Sequence, residues 1–210
     1  PALSGEVSFS VDGSVVGSAP IESGIATLEH DVAHGATREV EARYLGDADF
    51  EPSSDMVTRT DPGLTAKVSS AGAKNRFGWY RKPVTVSFRC VRGTADLTED
   101  CPYPRRLAGD GRSQKVTRTI VAFDGGRASV TVKGISIDRT PPVVRLKGLR
   151  RGATYPRVRQ AVCVARDRTS GVLRCVTGWT RRGRVVTYSA TATDRAGNRK
   201  VLRFRTRLSR

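Results

Sequence analysis

The amino-acid sequence predicts an all-β chain made of small β-sandwich domains in tandem. Apolar and polar residues alternate along most of the chain, which is the period-two pattern of strands with one buried face. The 21 glycines and 10 prolines interrupt these runs at short intervals, as turns do in β-sandwiches. Residues 86–132 and 161–204 repeat one order of strand, cysteine, loop, cysteine, strand, turn and strand, so each copy is expected to be one structural unit.

The first segment, residues 1–62, is predicted to contain five short strands. An Asp12-Gly13 pair between the first two strands is typical of a two-residue hairpin turn. The string Asp61-Pro62-Gly63 ends the segment, because proline and glycine stop strand pairing. The five strands are expected at residues 5–11, 14–18, 24–28, 36–44 and 56–60.

The second and third segments, residues 63–138 and 139–210, each contain one copy of the repeat. At about 70 residues, each is close to the size at which a domain needs additional stabilisation. The simplest pairing is one disulfide per copy, Cys90–Cys101 and Cys163–Cys175, and neither spacing fits a zinc site. Disulfides form in oxidising compartments, so a secreted or cell-surface protein is expected. The string Asp138–Pro142 joins the two copies, and its two prolines should stiffen the connection.

The net charge of +17 is spread unevenly along the chain. Residues 1–60 carry 3 basic and 11 acidic side chains, residues 61–140 carry 15 and 7, and residues 141–210 carry 19 and 2. The last part could therefore bind a polyanion such as teichoic acid, acidic polysaccharide or nucleic acid. The alternative is a solvated, arginine-rich surface. The candidate contacts are Arg181, Arg182, Arg184, Arg203, Arg205 and Arg207.

The chain resembles known bacterial domains over nearly its whole length. In segment one, Gly5-x-Val7-x-Phe9, Asp12-Gly13, Gly24-x-Ala26-Thr27-Leu28 and Tyr44-x-Gly46-Asp47-x-x-Phe50 resemble the bacterial Ig-like repeats of large surface proteins. The other two segments resemble an Ig-like group of secreted actinobacterial proteins. The matching positions are Trp79, Val84-Thr85-Val86-x-Phe88-x-Cys90, 137–143, 167–172, Cys175 and 192–198. The resemblance implies an elongated array of immunoglobulin-like β-sandwiches with no chemistry of their own.

Segment one is shorter than a complete Ig-like sandwich, which has about seven strands in about 100 residues. It is therefore expected to be incomplete at its N-terminus, or completed by a strand from another chain. An open sheet edge there would be a contact for a dimer. No stretch approaches 18 apolar residues and no signal peptide is visible, so the chain is expected to be a mature form or a piece of a larger surface protein without a span of its own.

Catalytic and cofactor motifs are not found in the sequence. No histidine follows His34, and neither Gly-x-Ser-x-Gly nor a glycine-rich phosphate loop occurs, so no enzyme and no cofactor is predicted. His30 and His34 are interpreted as loop residues, and the Asp194–Asn198 string as a turn rather than a calcium site. Asp47 and Asp49 are weak metal candidates because acidic residues cluster around them. Trp79 and Trp179 are each expected to pack in a core.

These features predict non-catalytic modules that act as a stalk, a spacer or an adhesion region. The expected partners are other domains of a larger surface protein and a host or cell-wall ligand. Polyanion binding through the basic third segment is the first alternative. The second is an accessory region of a secreted hydrolase whose catalytic domain lies elsewhere.

Overall fold

The computed structural model describes residues 4–32 and 37–210. Over these ranges the protein forms 16 strands and no helix, which confirms the all-β class. The described residues therefore contain no long apolar helix of the kind that crosses a membrane. The chain divides into two compact units. Unit 1 comprises Pro1–Ala66, Phe88–Tyr103 and Thr117–Val130, and unit 2 comprises Lys67–Ser87, Pro104–Val116 and Thr131–Arg210.

The first segment forms one four-stranded antiparallel sheet. Its strands are β1 (Glu6–Val11), β2 (Ser14–Pro20), β3 (Thr37–Tyr44) and β4 (Ser53–Thr60), in the order β2-β1-β3-β4. Asp12 and Gly13 both take positive φ, as the predicted hairpin turn requires. The outermost strand β4 is exposed along its whole length except at Arg59.

The strand predicted at residues 24–28 does not form. Ser23 and Gly24 have φ values of 52° and 83°, and Glu22 and Ile25 each donate a backbone N–H to the carbonyl of the other. This tight turn reverses the chain, and residues 26–30 that follow are irregular. The alternation of apolar and polar residues at 24–28 therefore does not produce a strand, because Gly24 has a left-handed backbone conformation that ends strand pairing.

The second segment forms two three-stranded sheets. Its strands are β5 (Gly63–Ser70), β6 (Trp79–Tyr80), β7 (Val84–Val91), β8 (Arg105–Leu107), β9 (Gly111–Val121) and β10 (Arg127–Ile137). The sheet orders are β5-β7-β8 and β6-β10-β9. Alternate residues of β7 and β10 are buried, including Val84, Val86, Ile135 and Ile137, as the period-two pattern predicts.

The third segment also forms two sheets, and these face each other. Its strands are β11 (Val143–Lys147), β12 (Thr154–Tyr155), β13 (Val162–Arg166), β14 (Val172–Arg182), β15 (Val185–Asp194) and β16 (Arg199–Leu208). The pair β11-β13 contacts the sheet β12-β16-β15-β14 through β14, β15 and β16. Every second residue of β15 is buried in the core, from Val186 to Asp194.

The internal repeat is visible in the strand pairing. In both copies the first strand pairs with the third, as β5 with β7 and β11 with β13. In both, a two-residue second strand runs parallel to the last strand, as β6 with β10 and β12 with β16. The copies differ in one strand: β8 has three residues and pairs with β7, whereas β14 has 11 residues and pairs with β15.

Both predicted disulfides are present. The Cα atoms are 5.8 Å apart in Cys90–Cys101 and 5.6 Å apart in Cys163–Cys175. Because Cys163 lies on β13 and Cys175 on β14, the second bridge joins the two sheets of the third segment. Two disulfides and no free cysteine among the described residues indicate an oxidising environment.

The two tryptophans have different environments. Trp79 is 5% exposed, and the guanidinium of Arg112 lies 5.4 Å from its ring centroid. Trp179 is 56% exposed, so its predicted core position is wrong. Trp179 pairs with the buried Tyr188 of the neighbouring strand. Its own strand β14 is the outermost of the sheet, and the buried core does not extend to this side chain.

Candidate functional site

Most of the long-range polar contacts of unit 2 lie where the second and third segments meet. We call this region the second joint. It contains three carboxylates: Asp138 directly after β10, Asp167 directly after β13, and Asp194 at the end of β15. One oxygen from each lies within 4.8 Å of the others. Asp138 and Asp194 are fully buried, and Asp167 is half-buried.

N–H donors surround the three carboxylates. The Oδ1 of Asp138 accepts the N–H of Thr140 at 3.1 Å, and its Oδ2 accepts the N–H of Ser170 at 3.1 Å. The Oδ1 of Asp167 accepts three successive backbone N–H groups, from residues 169, 170 and 171. The Oδ1 of Asp194 accepts the N–H groups of residues 197 and 198, and its Oδ2 accepts the Asn198 side-chain amide. These donors offset the repulsion between neighbouring carboxylates.

The ionisation of Asp138 reflects this balance. Burial raises the pKa of Asp138 because the charged carboxylate loses its hydration, and the nearby charges of Asp167 and Asp194 raise it further. The hydrogen bonds from Ser170 and Thr140 oppose that rise. Asp138 therefore contributes most to stability when it is protonated, and this contribution is lost as the pH rises through its raised pKa.

The three carboxylates have the chemical character of calcium ligands, and most of their oxygens also accept N–H groups from the protein. Calcium takes six to eight oxygen ligands. Here five of the six carboxylate oxygens already accept an N–H from the protein. The arrangement acts as a hydrogen-bonded crosslink of three loops. The turn interpretation of Asp194–Asn198 is confirmed, since Asp194 caps the turn and Gly197 has a φ of 94°.

Sequence reasoning missed the part that Asp138 plays, because it placed this residue in a linker. Asp138 is far in sequence from Asp167 and Asp194, and the alternation of residues along strands does not predict which loops come together. One signal was available: Asp138-Arg139-Thr140 and Asp167-Arg168-Thr169 have the same sequence. In both, the aspartate Oδ1 accepts the backbone N–H of the residue two positions later.

The Asp194–Asn198 turn also contacts the second segment. Ala196 at its tip is buried, and the Asn75 side-chain amide donates to the carbonyls of Arg195 at 2.7 Å and Ala196 at 3.0 Å. The Asn198 amide donates to the carbonyl of Asp138 at 3.0 Å. Additional links run from Arg81 to the Gly197 carbonyl and from Arg112 to the Thr169 carbonyl. The second joint is thus held by side-chain contacts as well as by the linker.

A second set of contacts, which we call the first joint, links the first and second segments inside unit 1. Arg59 of β4 donates its Nε to Asp124 Oδ2 at 3.0 Å and its Nη2 to the Asp124 carbonyl at 2.9 Å. Thr60 and Thr94 are hydrogen-bonded twice, once through the Thr94 hydroxyl and once through its N–H. The hydrogen bond from Arg59 holds the pKa of Asp124 below its usual value.

Gly93 allows the close approach of the two chains at the first joint. A Cβ at this position would lie 2.0 Å from the Thr60 carbonyl oxygen and 2.8 Å from the Asp61 carbonyl carbon. We expect Gly93→Ala to lower the free energy of unfolding by about 2–3 kcal/mol, because backbone atoms must move to relieve the clash. Urea denaturation followed by circular dichroism would measure the change.

Gly109→Ala is the matched control for Gly93→Ala. A Cβ on Gly109 meets nothing within 4 Å, and the residue does not need a left-handed backbone. We expect this variant to keep the wild-type stability or to gain slightly. Equal stability of the two alanine variants would show that the close approach at Gly93 does not constrain the fold.

The weak metal candidates Asp47 and Asp49 do not form a shared site. The Oδ1 of Asp47 accepts the N–H groups of Asp49 and Phe50, and its Oδ2 accepts the Ser4 hydroxyl, so Asp47 caps a turn. The hydrogen bond from Ser4 is the main cause that lowers the pKa of Asp47. The single three-residue group of possible metal ligands in the described ranges is the second-joint cluster, which includes neither residue. His34 lies outside the described residues, and His30 is in an irregular segment.

The six candidate polyanion contacts lie on different faces. Arg203, Arg205 and Arg207 are exposed on one face of β16, and Arg182 shares that face because both it and Arg207 pair with Val185. Arg181 is on the opposite face of β14 and donates its Nε to the Gly183 carbonyl, and Arg184 lies in the turn before β15. The six residues therefore do not form one surface.

The chain matches no protein-family model, no curated protein and no solved structure.

Proposed function

We propose that the chain is a non-catalytic spacer of a secreted or cell-surface protein, made of immunoglobulin-like segments whose joints are held by side-chain contacts. The observation that carries this proposal is the second joint. A flexible connection would leave its linker free, whereas here Asp138 accepts an N–H from Ser170 in the third segment. A spacer needs such fixed joints, because a freely hinged chain does not hold its two ends at a set separation.

The first joint supports the same function independently. Arg59 and Asp124 are each more than two-thirds shielded from solvent, and the guanidinium makes two contacts with Asp124. Partly buried pairs with such paired geometry hold their partners more firmly than single surface ion pairs. Together with Thr60 and Thr94, they tie the first segment to two loops of the second.

The chemistry of the carboxylate cluster favours a structural role. A general acid or base needs an atom within hydrogen-bond reach of a substrate. Asp138 and Asp194 have no exposed surface, and both oxygens of each accept protein N–H groups. The two disulfides fit the same function, since they stabilise small domains outside the cell.

Backbone ¹⁵N relaxation in the intact chain would test the spacer proposal. We expect order parameters of about 0.85 for the amides of residues 138–140 and 194–198, the value typical of rigid backbone. Values below about 0.6 in these residues would contradict the proposal, because a joint that moves so freely cannot fix an angle.

Asn75→Ala should increase the mobility of residues 194–198, because it removes both amide hydrogen bonds to that turn. Gln160→Ala, at an exposed position in the third segment, is the control and should leave the order parameters unchanged. Unchanged relaxation in Asn75→Ala as well would show that these contacts do not hold the joint.

A further inference from the structure

A groove of about 650 Å³ lies on the third segment, along the outer face of β11 and β13. Successive strand residues point to opposite faces, and Cys163 faces inward because it is bridged to β14. The outward set is therefore Val143, Arg145 and Lys147 of β11 with Val162, Val164 and Arg166 of β13, and all of these except Val162 line the groove. The loop of residues 167–169 forms one end.

Four cations line this groove: Arg145, Lys147, Arg166 and Arg168. Within residues 4–32 and 37–210, none of the four takes part in an ion pair. The one acid in the lining, Asp167, is turned to the protein, where its Oδ1 accepts three backbone N–H groups. With four cations and one acid in its lining, the groove carries a net positive charge in a concave site, where the field is strongest.

The cations are arranged in a line. Arg145 and Lys147 are two residues apart on β11, which corresponds to about 7 Å. Arg166 pairs with Val143, so it lies diagonally from Arg145 and about 14 Å along the strand direction from Lys147. A small anion would reach only one or two of these charges. A chain with repeated anionic groups would reach all of them.

The uncharged lining also restricts the ligand. Val143 is 66% exposed and lies between cations, so it offers methyl groups to the carbon skeleton of a ligand. Among the described residues that line the groove, none is aromatic, and so no ring is available for base stacking. Arginine binds phosphate and sulfate oxygens through paired N–H groups. We propose that this groove binds a linear polymer with phosphate or sulfate groups on a flexible, non-aromatic backbone.

Two double variants of the full chain would test the groove. Arg145→Gln with Arg166→Gln removes two groove cations. Arg203→Gln with Arg205→Gln removes two exposed cations from the outer face of β16 and changes the net charge equally. Binding of poly(glycerol phosphate) and of heparin would be measured by calorimetry at 50 and 200 mM NaCl. We expect Kd to rise about tenfold in the groove variant and less than twofold in the control, with a weaker salt dependence in the groove variant alone.

The two probes distinguish the two possible anionic groups. Tighter binding of poly(glycerol phosphate) would identify phosphate, and tighter binding of heparin would identify sulfate. An equal loss in both variants would overturn the proposal, because it would mean diffuse attraction to a basic surface. Failure of the wild-type chain to bind either probe would also overturn it. So would tighter binding of single-stranded DNA of equal charge, which would point to base recognition. Thermal unfolding of both variants checks that each is folded. The proposal does not depend on the spacer function.

Discussion

Asp138→Ala should lower the free energy of unfolding by about 3 kcal/mol. The substitution removes the fully buried carboxylate that accepts the Thr140 N–H, and it removes one of the two acceptors of the Ser170 N–H, which keeps its hydrogen bond to Asp167 Oδ1. A buried donor without a partner costs about 1–3 kcal/mol. Urea denaturation followed by tryptophan fluorescence would measure the loss. Asp100→Ala, at an exposed aspartate, is the control and should change stability by less than about 0.5 kcal/mol.

The charge of Asp138 can be tested separately with Asp138→Asn, which keeps the shape of the side chain. Because the folded-state pKa of Asp138 is raised, ionisation costs stability in the wild type as the pH rises through that pKa. The stability advantage of the wild type over Asp138→Asn should therefore be largest near pH 4 and smaller at pH 7. An advantage that grows toward pH 7 would mean that the carboxylate charge itself stabilises the joint.

Loss of the Cys163–Cys175 disulfide should have an effect of similar size. Replacing both cysteines by serine opens a loop with a sequence separation of 12, for which the chain-entropy estimate is about 3 kcal/mol. The bridge is also a covalent link between the two sheets of the third segment. We therefore expect hydrogen exchange to become faster in β11 and β13, the short pair that carries the basic groove.

The matched comparison is Cys90→Ser with Cys101→Ser, whose loop has a sequence separation of 11. This variant should lose comparable stability but leave hydrogen exchange in β11 and β13 unchanged. If the Cys163 and Cys175 double variant lost less than about 1 kcal/mol, or if both variants accelerated exchange in β11 and β13 equally, the role given to the bridge would be wrong.

Strand positions and disulfides were largely predictable from the sequence, because both are local properties. The alternation in β15 and the Asp12-Gly13 turn depend on neighbouring residues. The disulfides follow from cysteine count and spacing. The error at residues 24–28 has a local cause too, since Ser23 and Gly24 turn the chain before a strand can start.

The candidate site was less predictable, because it depends on how the segments meet. Nothing near Asp138 in the sequence indicates that Ser170 will donate to it. The exposure of Trp179 similarly depends on the position of β14 at the edge of its sheet. That position arises because β14 pairs with β15 and not with β13. The groove cations were visible as residues, but their alignment follows from the β11-β13 register.

The different partner of β14 also affects how the protein avoids aggregation. As an 11-residue outermost strand, β14 leaves a row of backbone groups open to pairing with another chain, and Leu173, Val176 and Trp179 are exposed along it. Arg174, Arg181 and Arg182 lie on the same strand, so two such edges that approach each other are repelled. This protection is electrostatic and acts over about 8 Å at physiological salt. The colloidal stability of the third segment therefore depends on its arginines, whatever else those residues bind.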